Sequence, residues 1–343
     1  MNRNRLEQLL QRFQDVSVAL VGDVFLDRWY EIDPALDEPS LETGLTAHQV
    51  VRKRSAPGAG GNVLSTVSAL GVGRIYCVSI VGDDGDGFEV LRHLNDRRVN
   101  TDYVIRSGEV VTPVYLKPMF RREGRLVEGN RLDVKNFRRT PEALQDAVIA
   151  NMNELAEKVD AIILLDQLNE TDFGVITARV RQAAAELAAR RPELLIFADS
   201  REFIHEFKNV TIKCNNFEAL RLTGRPDEQE FSAQDIFDCM DELSARTGKP
   251  VFITCNKHGC AVEQDGEKRL VETAKQTGEI DVCGAGDACT AGTVAALCAG
   301  ADRAEAAFIG CLASGVTVRK LGQTGTADPS EVLALFDEQW GGR

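Results

Sequence analysis

The chain has 343 residues, 43% of them hydrophobic and 27% charged, and a formal net charge of −13. That size and composition fit one large α/β domain with an appendage. The charge argues against a nucleic-acid backbone or an anionic membrane surface as the main partner, although a small anion can still bind at a local site. Nine cysteines without a C-x-x-C pair, and only four histidines, speak against a structural metal and for reduced thiols in a cytoplasmic protein. The segment Met1-Asn2-Arg3-Asn4-Arg5-Leu6-Glu7 lacks the apolar run of a signal peptide, and no stretch approaches ~18 apolar residues, so a soluble protein is expected.

Leu6 to Phe13 reads as a short amphipathic helix leading into Val16 to Gly22, an apolar run of the kind that forms a buried parallel strand whose end faces a ligand crevice. Two acids, Asp23 and Asp27, follow in what reads as a surface turn. Glu31 to Gly44 is too rich in acids and prolines for a core element. Leu45 to Arg54 alternates as a partly exposed strand does, and Val110 to Val127 repeats that signal with a hairpin turn at Arg121 to Arg125. These two pieces lie outside the α/β rhythm and predict a small separate sheet over about 31–54 and 110–130. Prolines within the second run place it towards a sheet edge.

Pro57-Gly58-Ala59-Gly60-Gly61-Asn62 precedes a predicted helix, Val63 to Leu70, and a buried strand, Ile75 to Val81. Gly71-Val72-Gly73 is no dinucleotide fingerprint, because it precedes a strand and lacks the third glycine. Asp83-Asp84-Gly85-Asp86-Gly87 lacks the Glu and the flanking helices of a calcium loop and reads as a solvated turn. From Thr140 the rhythm is plainly β/α. Thr140 is expected to cap a helix to Glu157, and an Ala-rich helix is expected over about Asp172 to Arg191. Buried strands are predicted at Ala161 to Leu165, Leu194 to Ala198, Val210 to Lys213 and Val251 to Thr254, and polar residues recur where they end. No repeat or low-complexity linker interrupts the chain, so residues 1–343 read as one domain.

The chemistry concentrates in Asp281-Val282-Cys283-Gly284-Ala285-Gly286-Asp287. Ala291, Val294, Ala295 and Cys298 follow on one helical face, with Gly300 placed for a C-terminal cap. Two glycines before a helix start make an anion site, because the first backbone N–H groups have no intrahelical partner. A carboxylate there repels an anion unless Asp287 takes a proton from a hydroxyl while the N–H groups of Gly284, Ala285 and Gly286 hold the phosphoryl group under attack. The plainer alternative is a Gly-rich turn with an ordinary first-turn acid. Walker A is absent, since Gly248-Lys249 runs into Pro250.

The motif Asp281 to Asp287, with Pro57 to Asn62 upstream, resembles the two glycine signatures of the ribokinase-like (PfkB) carbohydrate kinases, over about Val16 to Val332. The resemblance implies a three-layer α/β sandwich with a mainly parallel central sheet and a small β lid that covers a sugar and often clasps a second subunit, so a homodimer is expected. It implies an ATP- and Mg²⁺-dependent phosphotransferase acting on a small-molecule sugar. Asp27, Gly58, Gly61 and Asn62 would then hold substrate hydroxyls, with Asp166 a further candidate. Asn215 and Glu218 match an N-x-x-E motif that organises Mg²⁺ through water; by their own pattern they are a helix N-cap and a first-turn acid. Thr254, Gly259 and the loop Leu321 to Thr326, with Gly322, would border the nucleotide, and Asp281 matches a ligand of a monovalent cation such as K⁺. Lys257 reads as a solvated lysine.

Within the family the pattern is most similar to the kinase half of bacterial heptose-phosphate kinase/ADP-heptose synthase, through Gly22 to Arg28, Arg131-Leu132-Asp133 and Lys320-Leu321-Gly322. It departs where Leu165 to Glu170 and Asp199-Ser200-Arg201-Glu202 lack two lysines of that pattern. A heptose phosphate is the favoured acceptor; a hexose, a pentose or a sugar acid is the alternative, and a non-catalytic nucleotide or sugar binder is a third.

Overall fold

The computed structural model describes residues 1–226, 231–322 and 324–341. A nine-stranded sheet forms its centre. From one edge the strands are Glu267–Val271, Cys260–Gln264, Val251–Thr254, Thr211–Asn215, Leu195–Ser200, Ala161–Asp166, Ser17–Gly22, Arg74–Val78 and Val99–Asn100. Cys260–Gln264 is antiparallel to both of its neighbours, and all other pairings are parallel. Side-chain alternation separates the two faces, as the two-residue strand period requires. On Ala161–Asp166, Ala161, Ile163 and Leu165 enter one core, while Ile162 and Leu164 enter the other. The second core is roofed by helices Glu142–Leu155, Ala178–Arg190 and Ala233–Thr247, and the first by Gly60–Ala69, Ala285–Cys298, Arg303–Thr317 and Pro329–Trp340. The result is the expected three-layer sandwich.

A five-stranded sheet stands beside it, in the order Arg125–Glu128, Val114–Arg122, Val24–Ile32, Val50–Ala59, with Leu132–Val134 also paired to Val114–Arg122. This is the expected lid, but with wider bounds. Asp27 lies on a lid strand rather than in a surface turn, paired to Ala56 on one side and Tyr115 on the other. The strand resumes at once after Asp23, so the chain passes from the central sheet into the lid with almost no connector.

Other expectations shift for local reasons. Asp84 is not in a solvated turn: its carboxylate caps helix Gly85–Asp96 and holds the Thr112 N–H and hydroxyl. Thr140 is not the cap of the next helix, which starts at Glu142; its hydroxyl instead donates to the Gly174 carbonyl. The Ala-rich helix begins at Ala178, capped by Thr177, because the preceding segment is pinned as a loop by Asp23. The Asp23 carboxylate accepts from the Gln167 and Val175 N–H groups, and burial pushes it up to about 6.

Helix Ala285–Cys298 does not have the one apolar face its spacing suggests. Every residue from Ala288 to Ala296 is buried. Its small side chains let neighbours come very close: a Cβ on Gly292 would lie 3.1 Å from the Cα of Gly310. Gly300 follows at φ +87°, as expected for the residue that ends the helix.

Two expected outcomes follow from this packing. A methyl group on Gly310 would sit 2.3 Å from Thr293 Oγ1 and 2.8 Å from the Cys289 carbonyl. Gly310→Ala therefore loses about 1–3 kcal/mol by overpacking, more than its gain in helix propensity of about 1 kcal/mol; unchanged stability in urea unfolding would contradict this. Asp166, 2% exposed, is pushed up to about 8 by burial and by the nearby Asp23 charge. A raised carboxyl favours folding below its unfolded value of about 3.9, and that contribution is lost as pH rises through the folded value. Asp166→Asn should flatten the fall of Tm with pH through about 8. A profile identical to the parent's would contradict the assignment.

Candidate active site

The ends of the parallel strands, the head of the buried helix and part of helix Arg303–Thr317 enclose a cleft of about 920 Å³. Gly284 takes φ +78° as the residue before helix Ala285–Cys298, and no side chain caps it. The first-turn N–H groups are thus left to a ligand. Ala285 is an exception among the expected donors, since its N–H closes a turn onto the Val282 carbonyl at 3.2 Å. Gly286 is exposed in the cleft wall.

Asp287 stands one residue further on, and Asn62 Nδ2 donates to its Oδ2 at 3.1 Å. The two glycine motifs therefore meet in space across 225 residues of sequence. Burial, then the charge of Asp199, pushes the Asp287 carboxyl up to about 6, while Asn62, Lys213 and Arg201 act in the opposite direction.

Lys213 is the group the sequence reading passed over. It ends the run Thr211-Ile212-Lys213, is 5% exposed, and its Nζ lies 2.6 Å from Asp199 Oδ2. Burial alone would lower its pKa, but the charge and hydrogen bond of Asp199 hold it above the ordinary lysine value. The same Asp199 oxygen accepts from Thr290 Oγ1 at 2.9 Å. A Cβ on Gly286 would lie 3.8 Å from Lys213 Nζ, so the ammonium borders the head of the helix. The available signal was a lysine inside an otherwise buried parallel strand, which needs a charged partner.

Asn215 and Glu218 form a reciprocal capping box on helix Asn216–Leu222. Asn215 Oδ1 accepts from Glu218 N at 2.9 Å, and Glu218 Oε2 accepts from Asn215 N at 2.8 Å. Both also line the cleft, and burial raises the Glu218 carboxyl. Thr254 and Gly259 line the same wall; a Cβ on Gly259 would lie 1.8 Å from the Val271 carbonyl, at a φ of +97°. Beyond them the wall is completed by Ala274, Gln276, Ile280, Ser314, Gly315 and Val318, none of which the motifs had singled out. Lys257 is exposed at the rim. Asp281 joins two loops, its Oδ1 accepting from Cys283 N and its Oδ2 from Gly322 N. Gln323, in the loop expected near the nucleotide, lies outside the described residues.

On the lid side Asp27 is 9% exposed, 3.8 Å from Lys117 Nζ, and raised by burial against the pull of Lys117 and Arg131. A Cβ on Gly58 would lie 2.5 Å from Asp27 Oδ2, so any side chain there would displace the carboxylate. Gly61 serves packing instead: a Cβ there would lie 2.4 Å from Pro57 Cβ. Ala59 between them takes φ +50°, a strained value for a residue with a side chain. Arg131 stacks on Tyr115 at 4.5 Å, and Arg201 reaches from the cleft wall to Gln167 Oε1 at 3.3 Å. Asp166 does not face this space. Its carboxylate is turned inward, accepting from Ser200 Oγ at 2.9 Å with Arg181 3.6 Å away, so it supports the strand end and cannot meet an acceptor.

Among the described residues no group of three or more His, Cys, Asp or Glu is placed to hold a metal, and no helix is long and apolar enough to cross a membrane. A single half-buried carboxylate such as Glu218 fits an ion that keeps most of its water.

Residues 18–330 match the profile of the pfkB family carbohydrate kinases. The chain is 32% identical over 337 residues to the bifunctional protein HldE of Caulobacter sp. (strain K31), covering 96% of this chain and 64% of that protein. Against HldE of Trichlorobacter lovleyi it is 27% identical over 342 residues, covering 97% and 65%. It thus spans just under two-thirds of the length of these relatives. Among solved structures, it resembles Arabidopsis thaliana ribokinase complexed with ribose and ATP at 18% identity and a TM-score of 0.68, covering 93% of this chain and 98% of that one. It also resembles Escherichia coli phosphofructokinase-2 in complex with potassium at 14% identity and a TM-score of 0.72, covering 94% and 99%. With its three-layer fold and with the two glycine motifs meeting at Asp287, the chain belongs to the pfkB family of carbohydrate kinases.

Proposed function

We propose that this kinase moves the terminal phosphoryl group of ATP to a hydroxyl of a phosphorylated sugar, a heptose phosphate foremost, with Asp287 as general base. The observation that carries the reading is the convergence of Asn62, Asp287 and Lys213 on the uncapped head of helix Ala285–Cys298. Asn62 orients the Asp287 carboxylate, which accepts the proton of the attacking hydroxyl. The N–H groups of the first turn and the Lys213 ammonium face the charge that builds on the transferring group, where fixed donors act most strongly. Asp199 keeps Lys213 charged and in place despite its burial.

Mg²⁺ bound with the nucleotide would be held through water by Glu218, and it neutralises phosphate charge. Asp281, which clamps the loops of Cys283 and Gly322, is the proposed contact for K⁺; its oxygens keep lone pairs beyond the two N–H bonds. The acceptor would lie between Asp27, Asn62 and Asp287. Lys117, Arg131 and Arg201 surround that space, and their charge favours an acceptor that carries a phosphate over a neutral hexose or pentose. The HldE relatives support a heptose phosphate as the sugar. Leu126, Val127, Leu132 and Val134 are exposed apolar residues on the lid, which supports a homodimer formed through it.

The deciding experiment measures ADP release from Mg·ATP over heptose phosphates, hexose phosphates, neutral sugars and sugar acids, with and without K⁺. Turnover confined to phosphorylated sugars is expected, and turnover confined to neutral sugars would overturn the acceptor assignment. Asp287→Asn should lower kcat by about 10²–10⁴ with ATP affinity nearly intact, and an unchanged kcat removes the base assignment. Because Asp287 must be ionised to act and sits at about 6, kcat/KM should fall as pH drops through that value. Lys213→Met should lower kcat by about 10²–10³; a change confined to the KM for ATP would place Lys213 in ground-state binding alone.

A further inference from the structure

Asp23 is 3% exposed and sits where the first central strand passes into the lid. Its backbone ties three pieces of chain together. The N–H donates to the Leu165 carbonyl at 3.2 Å, and the carbonyl accepts from Gly60 N at 2.8 Å. Gly60 opens helix Gly60–Ala69, which no side chain caps and which carries Asn62. The side chain acts elsewhere. Its Oδ2 accepts from Gln167 N at 3.1 Å and its Oδ1 from Val175 N at 2.7 Å. The loop between them lies directly on the carboxylate, since a Cβ on Gly174 would come within 2.6 Å of Oδ1. Burying a carboxylate on two neutral N–H groups is a costly way to fix a turn, and the position of Gln167 is what that cost secures.

Gln167 and Arg201 both line the cleft, and Gln167 Oε1 accepts from Arg201 Nη2 at 3.3 Å. The Arg201 N–H donates to the Asp166 carbonyl at 3.1 Å, so its backbone is fixed and Gln167 aims the guanidinium. The Arg201 charge acts on both the Asp287 carboxyl and the Tyr115 hydroxyl, which places it near the base and near the lid. A guanidinium has five donors in a planar fork, more than one amide oxygen can take, and the rest suit phosphate oxygens. We propose that Asp23 is a positioning residue of the acceptor site, holding Arg201 through Gln167 against the phosphate of the acceptor; the inference rests on the phosphorylated acceptor proposed for this kinase. The far end of the loop is secured separately, by Thr140 N on the Asp172 carbonyl at 2.8 Å and Thr140 Oγ1 on the Gly174 carbonyl at 2.7 Å. Loss of the carboxylate therefore frees the Gln167 end while the loop stays attached. The tie to Gly60, and with it Asn62 and the base, runs through the Asp23 backbone and survives a change of side chain.

The test measures ADP release from Mg·ATP by the full chain while a heptose phosphate is varied, and again while ATP is varied. In Asp23→Asn the amide presents an NH2 to one of the two N–H groups. The KM for the heptose phosphate should rise about tenfold, with kcat and the KM for ATP within about twofold of the parent. Arg201→Ala should raise the same KM, and adding Asp23→Asn to it should raise it no further, because residues that act through one another are not additive. Gln167 is half-buried at the cleft wall, so Gln167→Ala, alone and with Arg201→Ala, repeats the comparison even if Asp23→Asn fails to fold. Additive effects, or a fall in kcat with the acceptor KM unmoved, would overturn the proposal. A parent chain that turns over no heptose phosphate removes the acceptor reading and this inference together. A parent that does, beside variants with an unchanged KM, removes this inference alone.

Discussion

The structure depends on a helix that has no outer side. Ala285–Cys298 is enclosed by the sheet, by Gly60–Ala69 and by Arg303–Thr317, and its middle is buried at every residue. That is possible only with small side chains, which is why Ala, Gly, Thr and Cys fill it. A helix so enclosed cannot shift along its axis without opening voids that a packed interior does not tolerate. Its N-terminus is therefore a fixed point, and the missing cap at Gly284 turns that point towards the cleft. The free N–H groups of its first turn are thus held in place by the core around the helix.

Charge is arranged around this point in a compensating set. Asp287, Asp199 and Glu218 all border the cleft with Lys213, and buried carboxylates this close raise one another unless a cation intervenes. Lys213 is that cation, tied to Asp199 at 2.6 Å. Asp287 itself is pushed up to about 6, chiefly by burial and then by the charge of Asp199. The net charge of −13 therefore does not oppose anion binding. The relevant field is local, formed by helix N–H groups and one enclosed ammonium.

The sequence made the sheet order of chemistry legible because buried parallel strands are continuous apolar runs, and their ends stand out as polar residues. Asp287, Asn62, Glu218 and Gly259 all came from such ends or from glycine-rich turns. What it concealed has two physical sources. Lid membership depends on long-range pairing, so Val24–Ile32, which continues from the first strand after one residue, gave no signal of having left the central sheet. Roles set by burial were equally hidden. Asp166 and Asp27 look alike in sequence, yet one carboxylate turns inward to Ser200 and the other faces Lys117. Lys213 carries no motif, and only its position between two buried neighbours distinguishes it from a surface lysine.

The cleft and the lid beside it are built by different means. The cleft wall rests on strand ends, backbone N–H groups and glycines such as Gly259, where the Val271 carbonyl leaves no room for a side chain. Substitutions there disturb the sheet itself. The lid beside it presents side chains on its strands, where Lys117 and Tyr115 sit on a half-exposed surface and Arg131 on the following turn. Asp27 is where the two meet, on a strand that leaves the central sheet through Asp23, with its carboxylate laid across Gly58. The lysines missing at 165–170 and 199–202 lie at strand ends, while Lys117 and Arg131 come from the lid. The charges carried by the lid can accordingly vary while Asn62, Asp287 and Lys213 stay fixed by the core beneath them.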